Sequence, residues 1–140
     1  MALGIETFLP ATPAGIIELI KRYSIDLKGK KCLVIGRSQI VGRPISILLS
    51  QNKIFGNSTV TVAHSRTSNL EELCLDSDLI ISAIGKPEFI KGDMIKKGST
   101  IIDVGITRVD DSSSHKGYRI AGDVDFNSVS SRVGFITPVP

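Results

Sequence analysis

Cysteine, histidine and long apolar runs are all scarce in these 140 residues. Cys32 and Cys74 are the only cysteines. They sit among apolar neighbours without metal-ligand spacing, which argues for buried free thiols in a reducing compartment rather than a zinc or redox pair. No apolar run approaches the ~18 residues that a bilayer span requires. The opening Met1-Ala2-Leu3-Gly4-Ile5-Glu6 lacks a basic stretch and an apolar core. No secretory signal is therefore expected, and the cytoplasm is the default. Charge of one sign is also weak, since 17 Lys and Arg against 14 Asp and Glu leave +3. Without a basic block or an aromatic-rich strand, that excess does not describe a nucleic-acid binder; a small phosphorylated ligand accounts for it equally well.

What is present is ordinary globular material, 41% hydrophobic and 22% charged, at a length suited to one domain. A chain of this size buries roughly 68–70% of its unfolded surface and needs no disulfide or metal staple.

Thr12-Pro13 reads as a helix start, with Thr12 as cap and Ile16, Ile17, Leu19, Ile20 and Tyr23 at helical spacing. Residues 26–31 read as a polar turn. Cys32 to Ile35 is a short continuous apolar run of the kind buried on both faces of a parallel sheet. A second helix follows, with Pro44 in its first turn, where a missing N–H costs least. The segment Asn52 to Asn57 reads as a loop, Thr59 to Ala63 as a strand, and Asn69 to Leu75 as a short helix capped by Ser68. Leu79 to Ala83 and Thr100 to Val104 are further buried strands. Asp110 to Gly117 is expected to be a mobile polar loop, followed by a short helix at Asn127 to Arg132 and a last strand around Phe135 to Thr137. Strands alternating with helices predict βαβ units. The expected fold is a single Rossmann-like, doubly wound α/β domain over residues 1–140, with a mainly parallel sheet and flanking helices.

Ligands of such sheets sit at the carboxyl ends of the strands, so the first strand-to-helix turn is the place to look. It reads Gly36-Arg37-Ser38-Gln39-Ile40-Val41-Gly42, a degenerate glycine motif with Gly42 one residue late. Gly36 allows a tight turn, and the helix start that follows offers N–H groups to a phosphate. Alternatively, the two glycines merely permit the turn. A site built for NAD places a carboxylate at the end of the second strand, but here stands His64-Ser65-Arg66-Thr67. Ser65 and Arg66, with Arg37, suit a 2′-phosphate, which favours NADP over NAD. Arg66 also reads as a solvated surface charge; its position at the expected strand end favours function. The glycines at Gly85 and Gly105, each just past a strand, are candidates for the floor of the same site.

Groups able to move a proton are few. His64 reads either as a cofactor neighbour or as a satisfied strand-end histidine, and His115 as a solvated loop residue. Asp103 and Asp123 are candidates for buried carboxylates bonded to backbone N–H groups. No nucleophile–base pair is legible, so no catalytic residue is assigned.

Several strings taken together resemble the methylenetetrahydrofolate dehydrogenase/cyclohydrolase family of one-carbon metabolism. They are Phe8-Leu9-Pro10-Ala11-Thr12-Pro13-Ala14-Gly15-Ile16, Val34 to Pro44, Thr59 to Thr67, Ile102-Asp103-Val104-Gly105-Ile106, Gly122-Asp123-Val124-Asp125-Phe126 and Ile136-Thr137-Pro138-Val139-Pro140. Ala11 stands where the family often has cysteine. The resemblance implies a two-lobed, usually dimeric enzyme. With NADP it oxidises 5,10-methylenetetrahydrofolate to the 5,10-methenyl form, which it then hydrolyses to 10-formyltetrahydrofolate, in support of purine biosynthesis. It implies cofactor contacts from Gly36, Arg37, Ser38, Ser65 (with Arg66) and Ile106, and substrate contact from Pro140. It further implies that the catalytic lobe, with its Tyr-x-x-x-Lys motif, would precede Met1, so that these residues alone bind cofactor without turnover. The competing expectation is a stand-alone, non-catalytic dinucleotide-binding module.

Overall fold

The computed structural model describes residues 1–139. One parallel sheet is built from β1 (Lys31–Ile35), β2 (Thr59–Ala63), β3 (Leu79–Ser82), β4 (Thr100–Asp103) and β7 (Phe135–Ile136), in the order β2-β1-β3-β4-β7. Four helices flank it: α1 (Ala11–Arg22), α2 (Gly42–Ser50), α3 (Leu70–Asp76) and α4 (Phe126–Val129). A 3-10 turn spans Gly92–Met94. The central strands alternate with period two between two separate cores. Cys32, Val34, Leu79, Ile81 and Ile102 point to one face, where α1 and α2 cover them with Ile16, Ile20, Ile45, Leu48 and Leu49. Leu33, Ile35, Ile80 and Ile101 point to the other, against Cys74 of α3, Ile90, Ile95 and Val129 of α4. Both faces being covered explains why these strands read as unbroken apolar runs. The doubly wound expectation holds.

Several local expectations change. The first helix begins at Ala11 with Pro10 as its cap position and no side-chain cap, so Thr12 lies inside the first turn. Pro13 is still accommodated there, because a first-turn residue has no intrahelical N–H bond to lose. Ser68 does not cap α3; Asn69 occupies that position, again without a side-chain bond. The 26–31 segment is not wholly a polar turn, since Leu27 is buried and Lys31 already pairs with Thr59. The last helix is a single turn, with Asp125 accepting from the Ser128 N–H.

The largest difference lies at residues 107–121. Instead of a loop alone, β5 (Thr107–Asp110) and β6 (Tyr118–Ala121) pair antiparallel as a separate hairpin. Asp111 N–H closes it onto Gly117 C=O at 3.0 Å. The Arg108 guanidinium lies 3.7 Å from the Tyr118 ring centroid, and Arg119 pairs with Glu88 at 2.9 Å.

The two cysteines lie on opposite faces of the sheet, both buried and free. Burial pushes the Cys74 thiol up to about 11. No helix among the described residues is long and apolar enough to cross a membrane.

Candidate functional site

The strand order creates one topological switch. β1 continues through α2 on one face, whereas neighbouring β3 continues through the Gly92–Met94 turn on the other. The connections therefore diverge and leave a crevice at the carboxyl ends of β1 and β3, where doubly wound sheets take their ligands. Gly36 forms one lip and Ala83-Ile84-Gly85-Lys86 the other, joined by the Ala83 N–H to Ile35 C=O bond at 2.8 Å.

Gly36 has φ +122°, and a side chain there would run into the Ala83 carbonyl. Gly42, at the first position of α2, packs so closely on the Gly36 carbonyl that a Cβ would not fit. The late glycine thus gives the close turn-to-helix approach that the third glycine of the usual motif supplies.

One expectation fails at this turn. The start of α2 does not offer a row of free N–H groups. Ser38 Oγ accepts from Val41 N–H at 3.1 Å and Gly42 N–H at 3.3 Å, and Ser38 C=O accepts from Arg43 N–H at 3.0 Å. Pro44 has no N–H to give. With both hydroxyl lone pairs taken, Ser38 has only its proton left, and it can only donate. A donor on an exposed turn suits a phosphate oxygen. The first turn of α2 also contains no acid and carries Arg43 against the helix dipole, so positive potential accumulates there. Arg43 was not singled out by sequence; a basic residue in an acid-free first turn was the available signal.

At the end of β2, Thr67 N–H donates to His64 C=O at 2.9 Å and His64 N–H donates to Thr67 Oγ1 at 3.0 Å. Ser65 and Arg66 are the exposed central residues of this tight turn. β1 pairs with β2 along its length, Ile35 facing Ala63, so the Gly36 and His64 turns emerge side by side. None of the five ion pairs among the described residues engages Arg37, Arg43 or Arg66. These guanidiniums are available to an anion.

Two aspartates, Asp123 buried and Asp103 half-buried, hold the other side. Asp123, fully buried, accepts from Ser82 Oγ at 3.0 Å, Ile84 N–H at 2.8 Å and Lys86 N–H at 2.9 Å. Asp103 accepts from Gly105 N–H at 2.9 Å, Asp123 N–H at 3.0 Å and Val124 N–H at 2.9 Å. Burial pushes the Asp103 carboxyl above its ordinary value, against the pull of these three donors. Gly105 and Gly122 leave the space that the two carboxylates fill. Asp123 therefore anchors the loop after β3, and Asp103 anchors the Asp123–Val124 backbone that presents it.

Gly85 borders the crevice, but Gly105 ends β4, one strand further away. Ile106 is exposed beside it. Pro140 lies outside the described residues. His115 is exposed on the hairpin turn, far in sequence from either lip. Among the described residues no cluster of His, Cys, Asp and Glu is arranged to hold a metal. A cavity of about 590 Å³ lies between the N-terminal segment and α1–α2, and its lining includes none of the crevice residues.

Residues 10–140 match the model of the tetrahydrofolate dehydrogenase/cyclohydrolase NAD(P)-binding domain. The bifunctional protein FolD of Flavobacterium johnsoniae is 59% identical over all 140 residues, which correspond to 48% of that protein. The chain thus spans about half the length of the curated relatives it matches. A crystal structure of the bifunctional FolD from Campylobacter jejuni superposes with a TM-score of 0.88 at 44% identity, over 99% of this chain and 46% of that one. The Trypanosoma brucei FolD structure, complexed with NADP and an inhibitor, superposes with a TM-score of 0.90 at 37% identity, over 100% of this chain and 46% of that one.

Proposed function

The chain belongs to the tetrahydrofolate dehydrogenase/cyclohydrolase family through its NAD(P)-binding domain, and from that premise we propose that it takes NADP in the β1–β3 crevice. The observation that carries this reading is the end of β2. There, Ser65 and Arg66 stand exposed beside the Gly36 turn, in the place where an NAD site puts a carboxylate. The close packing of Gly36 and Gly42 fits a dinucleotide cradle. Ser38 Oγ–H and Arg37 would bind phosphate oxygens from the turn, Ser65 and Arg66 the 2′-phosphate, and Ile106 would contribute apolar contact on the far side. Asp103 and Asp123 would keep the floor rigid without touching the reacting atoms.

The whole protein, on this reading, oxidises 5,10-methylenetetrahydrofolate to the 5,10-methenyl form and hydrolyses that to 10-formyltetrahydrofolate, in support of purine biosynthesis. Bound NADP supplies the hydride acceptor. Residues 1–140 are its cofactor lobe. The catalytic lobe belongs to the part of the relatives that this chain does not align with, and Pro140 to the folate side. The protein works as a cytoplasmic homodimer.

Calorimetric titration of the chain with NADP and with NAD tests the cofactor assignment. NADP should bind more tightly, and Arg66→Ala should weaken it roughly tenfold or more, the worth of a charge-assisted bond, while leaving NAD unchanged. Equal affinity for both would overturn the NADP assignment. Absence of any binding would overturn the reading of this chain as a preformed cofactor lobe.

A further inference from the structure

The His64 side chain helps to hold the turn at the end of β2, and the cofactor reading gives it no role. His64 is half-buried, and its own N–H and C=O are both tied to Thr67. The backbone is thus held where the ring leaves it. Its Nδ1 accepts the backbone N–H of Arg66 at 3.2 Å. A nitrogen that accepts carries no proton, so in this contact the ring N–H is on Nε2. The Arg66 N–H is thereby satisfied from within the turn, and the side chains of Ser65 and Arg66 are left exposed to solvent.

We propose that His64 is a specificity-determining positioning residue, whose accepting Nδ1 holds the Arg66 backbone so that Ser65 and Arg66 meet the 2′-phosphate of NADP. The inference rests on the reading of Ser65 and Arg66 given above. Two physical points carry it. An acceptor within the chain fixes the exposed Arg66 N–H that water would otherwise bind, and a carboxylate would supply one only by placing negative charge against the 2′-phosphate. Imidazole Nδ1 supplies the acceptor without the charge. In addition, an arginine whose backbone is already fixed has less freedom to lose on binding, so preorganisation turns directly into affinity. Because the effect acts through the 2′-phosphate readers, it favours NADP and leaves NAD untouched.

The test compares four proteins: the unsubstituted chain, Arg66→Ala, His64→Leu and His64→Asn. Each is titrated calorimetrically with NADP and NAD, and its thermal midpoint is recorded. Leu keeps bulk without an acceptor, whereas Asn Oδ1 lies where Nδ1 does. His64→Leu should weaken NADP about fivefold, the worth of one neutral hydrogen bond, with NAD unchanged. His64→Asn should restore NADP affinity. If Arg66→Ala is selective for NADP but His64→Leu weakens both nucleotides equally or neither, the positioning role is overturned and the reading of Arg66 stands. Failure of Asn to rescue also overturns it. If the unsubstituted chain does not prefer NADP, or Arg66→Ala is not selective, the underlying reading falls and this inference with it.

Discussion

The two sides of the crevice are built on opposite principles. On the β3–β4 side, the carboxylates of Asp103 and Asp123 together accept six hydrogen bonds, five of them from backbone N–H groups. On the β1–β2 side, short turns display Arg37, Ser38, Ser65 and Arg66 to solvent. The carboxylates on the first side serve rigidity, because each of their oxygens accepts at least one hydrogen bond from within the chain. Charge exposed on the second side has no partner among the described ion pairs and remains available to a ligand. One sheet thus separates the anchor from the reader by a single strand spacing.

The contrast breaks most severely at Asp123. Asp123→Ala leaves Ser82 Oγ and the Ile84 and Lys86 N–H groups without their acceptor. It should cost at least about 3 kcal/mol in urea unfolding, since each buried orphan costs about 1–3 kcal/mol. Gly36→Ala comes next. At φ +122° and against the Ala83 carbonyl it should cost about 2–4 kcal/mol and remove nucleotide binding with it, because the lip of the crevice must shift. A smaller effect, and of a different kind, is expected from Arg37→Ala. NADP affinity in a calorimetric titration should fall roughly tenfold, while stability stays within about 0.5 kcal/mol. This separation of affinity from stability is what the open side predicts and the anchored side does not.

The smallest expected effect sharpens the comparison through pH. The Lys96 ammonium, aided by the Lys31 N–H, holds the Asp78 carboxyl below its ordinary value. Asp78 therefore supports the fold above the ordinary carboxylate range, and that support is lost as pH falls through its lowered value. Asp103, raised by burial, behaves in the opposite way. Its contribution to the fold is present at acid pH and is lost as pH rises through its raised value. From about pH 7 to about pH 3, Asp78→Asn should lose less stability than the parent and Asp103→Asn more, read as shifts in the urea midpoint. Equal slopes for the two variants would show that the half-buried Asp103 carboxylate is not distinguished by its surroundings.

The residues that could be read in advance are those whose meaning is local. Thr59–Ala63 is a strand by alternation and β-branching, and the structure starts and ends it there. The turns at Gly36 and at His64–Thr67 were recognisable because a strand end followed by glycine, or by a basic residue in place of an acid, has meaning without its neighbours. The β5–β6 hairpin was hidden, although Thr107-Arg108-Val109-Asp110 and Tyr118-Arg119-Ile120-Ala121 both alternate. The seven polar residues between them, 111–117, masked the pairing. The bonding of Ser38 within its turn was not legible either. Its spacing shows a hydroxyl near a helix start, but only the folded turn shows that both lone pairs are already taken.

By itself, the sequence determined which segments are strands buried on both faces, where glycine permits a turn, and which charges end the second strand. Those properties follow from periodicity and backbone freedom within a few residues. Only the tertiary structure decided that β3 lies beside β1, so that the Ala83 carbonyl meets Gly36. It alone decided that Asp123 reaches back 39 and 37 residues to Ile84 and Lys86. Strand order is chosen by the packing of two cores against the whole sheet, and a carboxylate finds its donors only after that order is set. The chain therefore encodes its parts locally, while the crevice exists only once distant strands have become neighbours.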